Sequence, residues 1–381
     1  MRSIVTNVCR LVLAVAFVFS GFVKAVDPLG TQYKLEDYMA AWGLAGIMPS
    51  WALLAVAVLL AGVEFCLGLW LLFAIRRRLV TRVLLLIMAV MTPLTLWLAL
   101  TDPVHDCGCF GDALVLTNWQ TFAKNVVLLS CAVVVAWSPR RMARFVSESN
   151  QWIVVNYSML FILIVAVRSL YLLPLFDFRP YHVGTDLREA LSQRWEVLGS
   201  PYLDFAVERC DDGEDITDQL MESSGYTLLL LSDRLEDADD SRPDQMNRLY
   251  EYALEHDYPF FCLTASGDEA QQHWCDMTGA EYPFCTTDAT VLRTMIRSNP
   301  GLMLLHDGRI LRKWSHNALP SDNELQEPLE QSPLGQMSEN NVEVRIGLIL
   351  MWFVLPLALL VFADRLWFWT RWVRRKAKSE E

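Results

Sequence analysis

Hydrophobic positions in this chain fall in long unbroken runs, and the polar stretches between them are short and biased in charge. Runs at 4–23, 51–75, 80–100, 119–137, 152–173 and 345–363 each approach the ~20 apolar residues that a helix needs to cross a bilayer. Six spans are predicted. The first contains an apolar core at 11–23 with the length of a signal-peptide h-region, but Val23-Lys24-Ala25 is a poor cleavage site, so it is read as a retained helix. Residues 25–50 carry Asp27-Pro28, Gly30, Tyr33, Trp42 and Pro49, a polar-aromatic mixture suited to lying at the membrane interface. Pro93 predicts a kink in the third span. After the sixth span, residues 364–381 alternate Trp and Phe with Arg and Lys, which predicts a helix held at headgroup level.

Between the fifth and sixth runs the pattern changes. Tyr226 to Ser232 (YTLLLLS) reads as a buried strand, and residues 245–256 have helical spacing with Met246, Leu249, Tyr252 and Ala253 on one face. A strand at 259–264, a helix at 269–278, a short strand at 282–285 and a helix at 290–298 follow. Two last strands, 302–305 and 309–314, flank His306-Asp307-Gly308, and Asp-Gly between alternating strands is a strong hairpin signal. Alternating strands and helices that end in a hairpin predict a small α/β sandwich. Upstream, 205–208 and 215–217 flank Asp211-Asp212-Gly213 as a leading hairpin. Calcium is a weaker reading of those carboxylates, because the EF-hand spacing is absent.

Charge sharpens this division. The chain has 381 residues, 53% of them hydrophobic, and a formal net charge of -12. Residues 177–343 hold 33 acidic and 12 basic side chains, whereas the remainder holds 11 acidic and 20 basic. A basic, apolar carrier thus holds an acidic soluble block. Nucleic acid is excluded as a partner of that block, since phosphate binding needs clustered Lys and Arg. The basic residues at 76–82, at 140–144 and in the tail alternate with loops poor in Lys and Arg. The positive-inside rule then puts these three segments and both termini in the cytoplasm, with the loop near residue 107 and the acidic block outside.

The chemistry concentrates in one short break, His105-Asp106-Cys107-Gly108-Cys109-Phe110-Gly111-Asp112. Cysteine reacts as a thiolate, so exposure and nearby charge decide its use. Three readings stand open: a dithiol/disulfide pair that exchanges electrons, a static clamp, and a metal site using His105, Cys107, Cys109 and Asp112. Glu64, deep in the second span, is costly there and hence a functional candidate; Lys24 and Lys124 are its candidate partners. A paired structural carboxylate is the alternative. Cys9, Cys66 and Cys131 lie within apolar runs and read as packing residues.

The first four spans resemble the DoxX family and its MauE relatives. The matching residues are Ser20-Gly21, Lys24, Asp27-Pro28, Glu64 and Cys107-Gly108-Cys109-Phe110-Gly111. MauE relatives are bacterial membrane proteins implicated in disulfide formation in exported partners, and DoxX relatives are associated with membrane thiol-redox complexes, so the resemblance implies a redox role. Residues 202–319 resemble a thioredoxin-like, peroxiredoxin-like fold, with Asn299-Pro300 at the place of its cis-proline. Where that family carries its reactive cysteine, after the strand ending at Ser232, this chain reads Asp233-Arg234-Leu235-Glu236. The resemblance therefore implies the fold and speaks against independent thioredoxin or peroxidase activity. Cys262 and Cys285, on strands that this fold sets side by side, read either as a pair or as core residues.

The expected architecture is an α-helical membrane bundle of six spans with an extracytoplasmic α/β thioredoxin-like domain. Its parts are a four-helix domain at 1–137, a fifth span at 152–173, the outer domain at 177–343, a sixth span at 345–363 and a cytoplasmic tail at 364–381. The expected function is that of a bacterial inner-membrane thiol-redox protein acting on extracytoplasmic client proteins. Cys107 and Cys109 are its thiols, Glu64 a further site residue, and the bilayer its surroundings. The electron acceptor, a quinone for example, is not visible in the residues. A non-enzymatic scaffold that presents a degenerate thioredoxin-like domain is the rival reading, and a transporter or metal-handling protein a third.

Overall fold

The computed structural model describes residues 2–104, 107–192, 202, 205–210, 213–222, 224–337 and 342–380. They form two units, Met1–Ser169 with Asn341–Glu381, and Leu170–Asn340.

The first unit is helical: α1 (Arg2–Val26), α2 (Pro28–Ala41), α3 (Ser50–Leu72), α4 (Arg77–Thr101), α5 (Asn118–Trp137) and α6 (Gln151–Tyr171), with the long C-terminal helix Val342–Glu380. Six of these helices are long and apolar enough to cross a membrane, and the protein is multi-pass. Their outward faces carry bare apolar side chains such as Leu59, Leu86, Leu160 and Trp352, as a lipid-facing surface requires.

Helices α1 and α3 meet on small residues, because lipid offers no hydrophobic drive and backbones must approach closely to gain dispersion contacts. Ala14 and Ala25 on α1 and Ala57 and Ala61 on α3 are buried. A Cβ at Gly21 would meet the Phe65 amide nitrogen and stand 2.6 Å from the Ala61 carbonyl oxygen, and one at Gly68 would stand 2.7 Å from the Val18 nitrogen. This approach sets Glu64 beside Lys24. Helix α4 runs through Pro93, with the Thr92 and Thr95 hydroxyls donating to the Met88 and Met91 carbonyls one turn back. Asn125 on α5 donates to Thr95 at 3.2 Å and ties α5 to α4.

The stretch read as interface-lying is largely helical. Asp27 caps α2 by accepting from the Gly30 amide, and Pro28 occupies its first turn, where no amide donor is needed. The three basic segments gather at one end of the bundle. Arg77 donates to the Arg140 and Met142 carbonyls, Arg10 to Ala143, and Arg365 to Arg144. The aromatic-basic tail continues the last span without a break.

The second unit is built on a six-stranded sheet of β1 (Glu208–Arg209), β2 (Tyr226–Ser232), β3 (Phe260–Thr264), β4 (Phe284–Thr286), β5 (Gly301–His306) and β6 (Arg309–Ser315), in the order β1-β4-β3-β2-β5-β6. The crossover helices are α9 (Pro243–Glu255), α10 (Asp268–Thr278) and α11 (Ala289–Met295); two short helices, α7 (Leu187–Ser192) and α8 (Thr217–Glu222), precede them, and the C-terminal span is α12. Strands β2, β3 and β4 are parallel, and the β5–β6 hairpin runs antiparallel to β2. This mixed α/β arrangement is thioredoxin-like, and the Asn299–Pro300 bond is cis as expected. Both sheet faces are covered, which is why β2 reads as a continuous apolar run. Leu229, Leu231, Leu263 and Met303 fill one face beneath α11, and Leu228, Leu230, Leu302 and Leu304 the other with α9.

Register decides the cysteine question in this sheet. Cys262 stands opposite Phe284, and Cys285 opposite Leu263, so the two cysteines are one residue out of step and project to opposite faces. They are neighbours in the sheet and do not pair. Upstream, Glu208 and Asp215 form the antiparallel bridge expected of the leading hairpin, while β1 also extends the sheet along β4. Asp211 and Asp212, the carboxylates weighed for calcium, lie outside the described residues.

Candidate functional site

The loop from α4 to α5 is closed at both ends before it presents its cysteines. Helix α4 ends at Asp102 with φ 45°, and Asn118 at the start of α5 donates to the Asp102 carboxylate at 2.7 Å and to the Val104 carbonyl at 2.8 Å. A capping box starts α5: Thr117 accepts from the Gln120 amide, and the Gln120 side chain accepts from the Thr117 amide. Within the loop, Gly108 and Gly111 hold φ of +63° and +51°, which a residue with a Cβ rarely adopts. The Gly111 amide donates to the Gly108 carbonyl at 3.1 Å and closes the turn.

This turn makes the two cysteine side chains converge, with their Sγ atoms 2.7 Å apart. The loop is then braced from two sides. The Tyr38 hydroxyl on α2 donates to the Cys107 carbonyl at 2.8 Å, and the Ser20 hydroxyl on α1 lies 2.6 Å from the Cys109 carbonyl. Ser20 belongs to a buried cluster: its oxygen is 2.7 Å from Glu64 Oε2 and 3.0 Å from Lys24 Nζ, and Lys24 and Glu64 form an ion pair at 2.6 Å. The carboxylate deep in α3 is therefore paired, and one serine links it to the dithiol backbone.

Of the two partners considered for Glu64, Lys24 reaches it. Lys24 and Ser20 lie one turn apart on the same face of α1, a spacing visible in the sequence. The ammonium group of Lys124 instead stands 4.1 Å above the Phe110 ring. The electrostatics separate the two thiols. Cys107, hydrogen-bonded to Cys109 and buried, is pushed far above the ordinary thiol range. Cys109, which receives that hydrogen bond and lies near the charges of Lys124 and Lys24, is pulled below it. These directions make Cys109 the more acidic thiol of the pair.

Sequence reasoning missed the contribution of α2. Lys34 and Tyr38 stand one turn apart, and a Cβ at Gly108 would lie 3.1 Å from Lys34 Cγ, so that helix forms a wall of the loop. The periodicity at 34 and 38 was the available signal. His105 and Asp106 lie outside the described residues. Among the described residues, no group of three or more His, Cys, Asp or Glu is arranged to hold a metal ion.

Residues 2–138 match the family model described as methylamine utilisation protein MauE. No curated protein matches the chain. Among solved structures, the chain is similar to a solution structure of a candidate protein disulfide isomerase from Bacteroides thetaiotaomicron, at 15% identity and a TM-score of 0.27, over 37% of this chain and 91% of that one. Residues 2–138 of the membrane unit are thus similar to that family.

Proposed function

We propose that this protein is a bacterial inner-membrane thiol-redox protein whose Cys107 and Cys109 cycle between dithiol and disulfide and so support disulfide formation in extracytoplasmic client proteins. One client thiolate attacks the Cys107–Cys109 disulfide and forms a mixed disulfide, and the second client thiol then displaces the loop cysteine. Two electrons and two protons pass from client to loop, leaving an oxidised client and a reduced pair. The observation that carries this reading is the 2.7 Å approach of the two sulfurs on a loop clamped at both ends. Glu64 serves as a positioning residue: it holds Lys24, which donates to Ser20 and leaves the single Ser20 hydroxyl hydrogen for the Cys109 carbonyl, and it keeps the Lys24 charge near the reactive sulfur. The basic end of the bundle faces the cytoplasm with both termini, and the α/β unit faces outward and binds the client.

Alkylation of the native protein with a thiol-reactive mass tag tests it. The pair is expected to shift by two tags after mild reduction and by none after oxidation. A pair that stays fully tagged under oxidant would sink the proposal.

A second reading is favoured by a separate observation. Strand β2 leads into Asp233, Arg234 and the turn Leu235–Asp237, which contain no thiol, and Asp233 is committed to an ion pair with Arg293. On that reading the outer unit is a binding domain and the whole protein a non-enzymatic scaffold. Full function in a Cys107→Ser, Cys109→Ser double variant would select it.

A further inference from the structure

Below the dithiol loop the membrane unit contains a cavity of about 380 Å³, within the range of about 300–1,000 Å³ typical of small-molecule sites. Its walls come from α1 to α5 and are overwhelmingly apolar, with Met39, Met88, Met91, Trp42 and Leu60 among them. Methionine and aromatic walls of this kind adapt to flat, unsaturated groups. Ser20, Lys34, Tyr38, Lys124 and the Lys24–Glu64 pair line it together with both cysteines, and the short distances from Ser20 and Tyr38 to the loop carbonyls place these two at the loop end.

A ligand that fits this distribution is amphipathic: an apolar body for the methionine wall, and a head that accepts hydrogen bonds and gains negative charge beside cationic side chains. It must also reach a site within the membrane spans, which favours arrival from lipid. We infer that the cavity binds the ring of a lipid-soluble quinone, which takes the two electrons of the Cys107–Cys109 pair. The inference deepens the dithiol reading and rests on it. In the step, the Cys107 S–H bond breaks and one S–S bond forms to the Cys109 thiolate. The electron pair passes to the ring, and the Cys107 proton together with one proton from water completes the two O–H groups of the quinol. Lys124, whose charge lies at the loop end, stabilises the negative charge that develops on the ring oxygens before protonation. Thiols, client and quinone then form a balanced chain from client dithiol to quinol.

The test uses the full chain in lipid nanodiscs, reduced, freed of reductant and kept anaerobic. Addition of decylubiquinone is expected to yield one quinol per protein and to protect both cysteines from the mass tag. Diamide, a water-soluble oxidant that needs no cavity, serves as the second arm. If diamide closes the pair but decylubiquinone yields no quinol, the quinone inference falls and the dithiol reading stands. If neither closes it, the dithiol reading falls first. Met91→Trp, which fills the cavity, is expected to slow quinol formation at least tenfold, and Met91→Leu to restore it. An unchanged rate in Met91→Trp would overturn the assignment of the cavity. Photolabelling of the wild-type chain with an azido-quinone reads binding without redox chemistry or a folding risk. Label is expected on α1, α3 or α4 near Met88 and Met91. Label elsewhere, or equal labelling by a photoreactive phospholipid acyl chain, would overturn the inference.

Discussion

Both units of this protein hold two cysteines on adjacent pieces of backbone, and only one unit makes them meet. In the loop after α4, one glycine separates Cys107 from Cys109, and the turn at φ +63° brings the sulfurs to 2.7 Å. In the sheet, Cys262 and Cys285 sit on hydrogen-bonded neighbouring strands, yet a register offset of one residue sends them to opposite faces. Strand side chains alternate, so a single-residue offset removes any possibility of a bond. Adjacency of backbone is therefore a poor guide to thiol chemistry. The direction of the Cα–Cβ bond decides it.

The contrast breaks first on the loop cysteines. Cys107→Ser and Cys109→Ser are each expected to abolish client oxidation, a loss of at least ~100-fold, while the protein stays inserted and folded. Cys107→Ser should also accumulate a mixed disulfide with an oxidised client, because Cys109 attacks the client disulfide, releases one client thiol and lacks a resolving partner. Non-reducing electrophoresis of the membrane fraction reads that adduct. If both variants lose stability and trap nothing, the pair is only a clamp.

The next largest effect belongs to the brace. Removing one member of a buried ion pair strands the other charge, at a cost of about 3–5 kcal/mol. Lys24→Met and Glu64→Ala should therefore lower thermal stability in nanodiscs by that order, and Glu64→Gln, which keeps a hydrogen bond to Ser20, by less. A merely structural Glu64 would leave the alkylation rate of Cys109 unchanged in Glu64→Gln. If Glu64 positions Lys24 beside the thiolate, the rate's dependence on pH moves as well.

Particular residues show what the sequence made legible. The six spans were readable because a bilayer demands long apolar runs, and the α/β unit because β2 and the 306–308 turn carry strong local patterns. Glu64 and the Cys107–Cys109 loop stood out as costly or unusual chemistry in apolar surroundings. What stayed hidden depended on three-dimensional approach. Lys124 and Lys24 were equal partners for Glu64 until the glycines of α1 and α3 brought those helices together. The helix at Pro28–Ala41 was obscured because its mixture of polar and aromatic positions is equally suited to an interface. The mismatch of Cys262 and Cys285 could not be read, because register is set across strands and not along them.

A smaller effect tests the other side of the comparison. Cys262→Ala or Cys285→Ala in the sheet should cost about 1 kcal/mol through lost packing. Cys285→Ser buries a hydroxyl in an apolar layer, at about 1–3 kcal/mol. Neither should alter oxidation of the 107–109 pair. A drop in dithiol turnover that exceeds the drop in folded protein would show that these cysteines take part in exchange, and the contrast drawn above would fail.

The smallest effect is electrostatic and resides in Cys109 alone. Its thiol is pulled below the ordinary value of about 8.5 by the hydrogen bond from Cys107 and then by Lys124 and Lys24. The thiolate reacts, so alkylation is fast above the folded pKa and falls as pH drops through it. The pH–rate profile for Cys109 in the reduced protein should therefore lie to the acid side of a free cysteine's, with Cys107 reacting only at far higher pH. Lys124→Met removes a positive charge that favours the thiolate, so the Cys109 profile should shift toward higher pH by less than about one unit. The larger cause, the Cys107 hydrogen bond, is left in place. Mass spectrometry of iodoacetamide-treated peptides, sampled across pH 5 to 10 (~ half-unit steps around the ordinary thiol range), measures both profiles. A shift toward lower pH in Lys124→Met, or coincident profiles for the two cysteines, would contradict the thiolate assignment on which the proposed electron-transfer role of this loop depends.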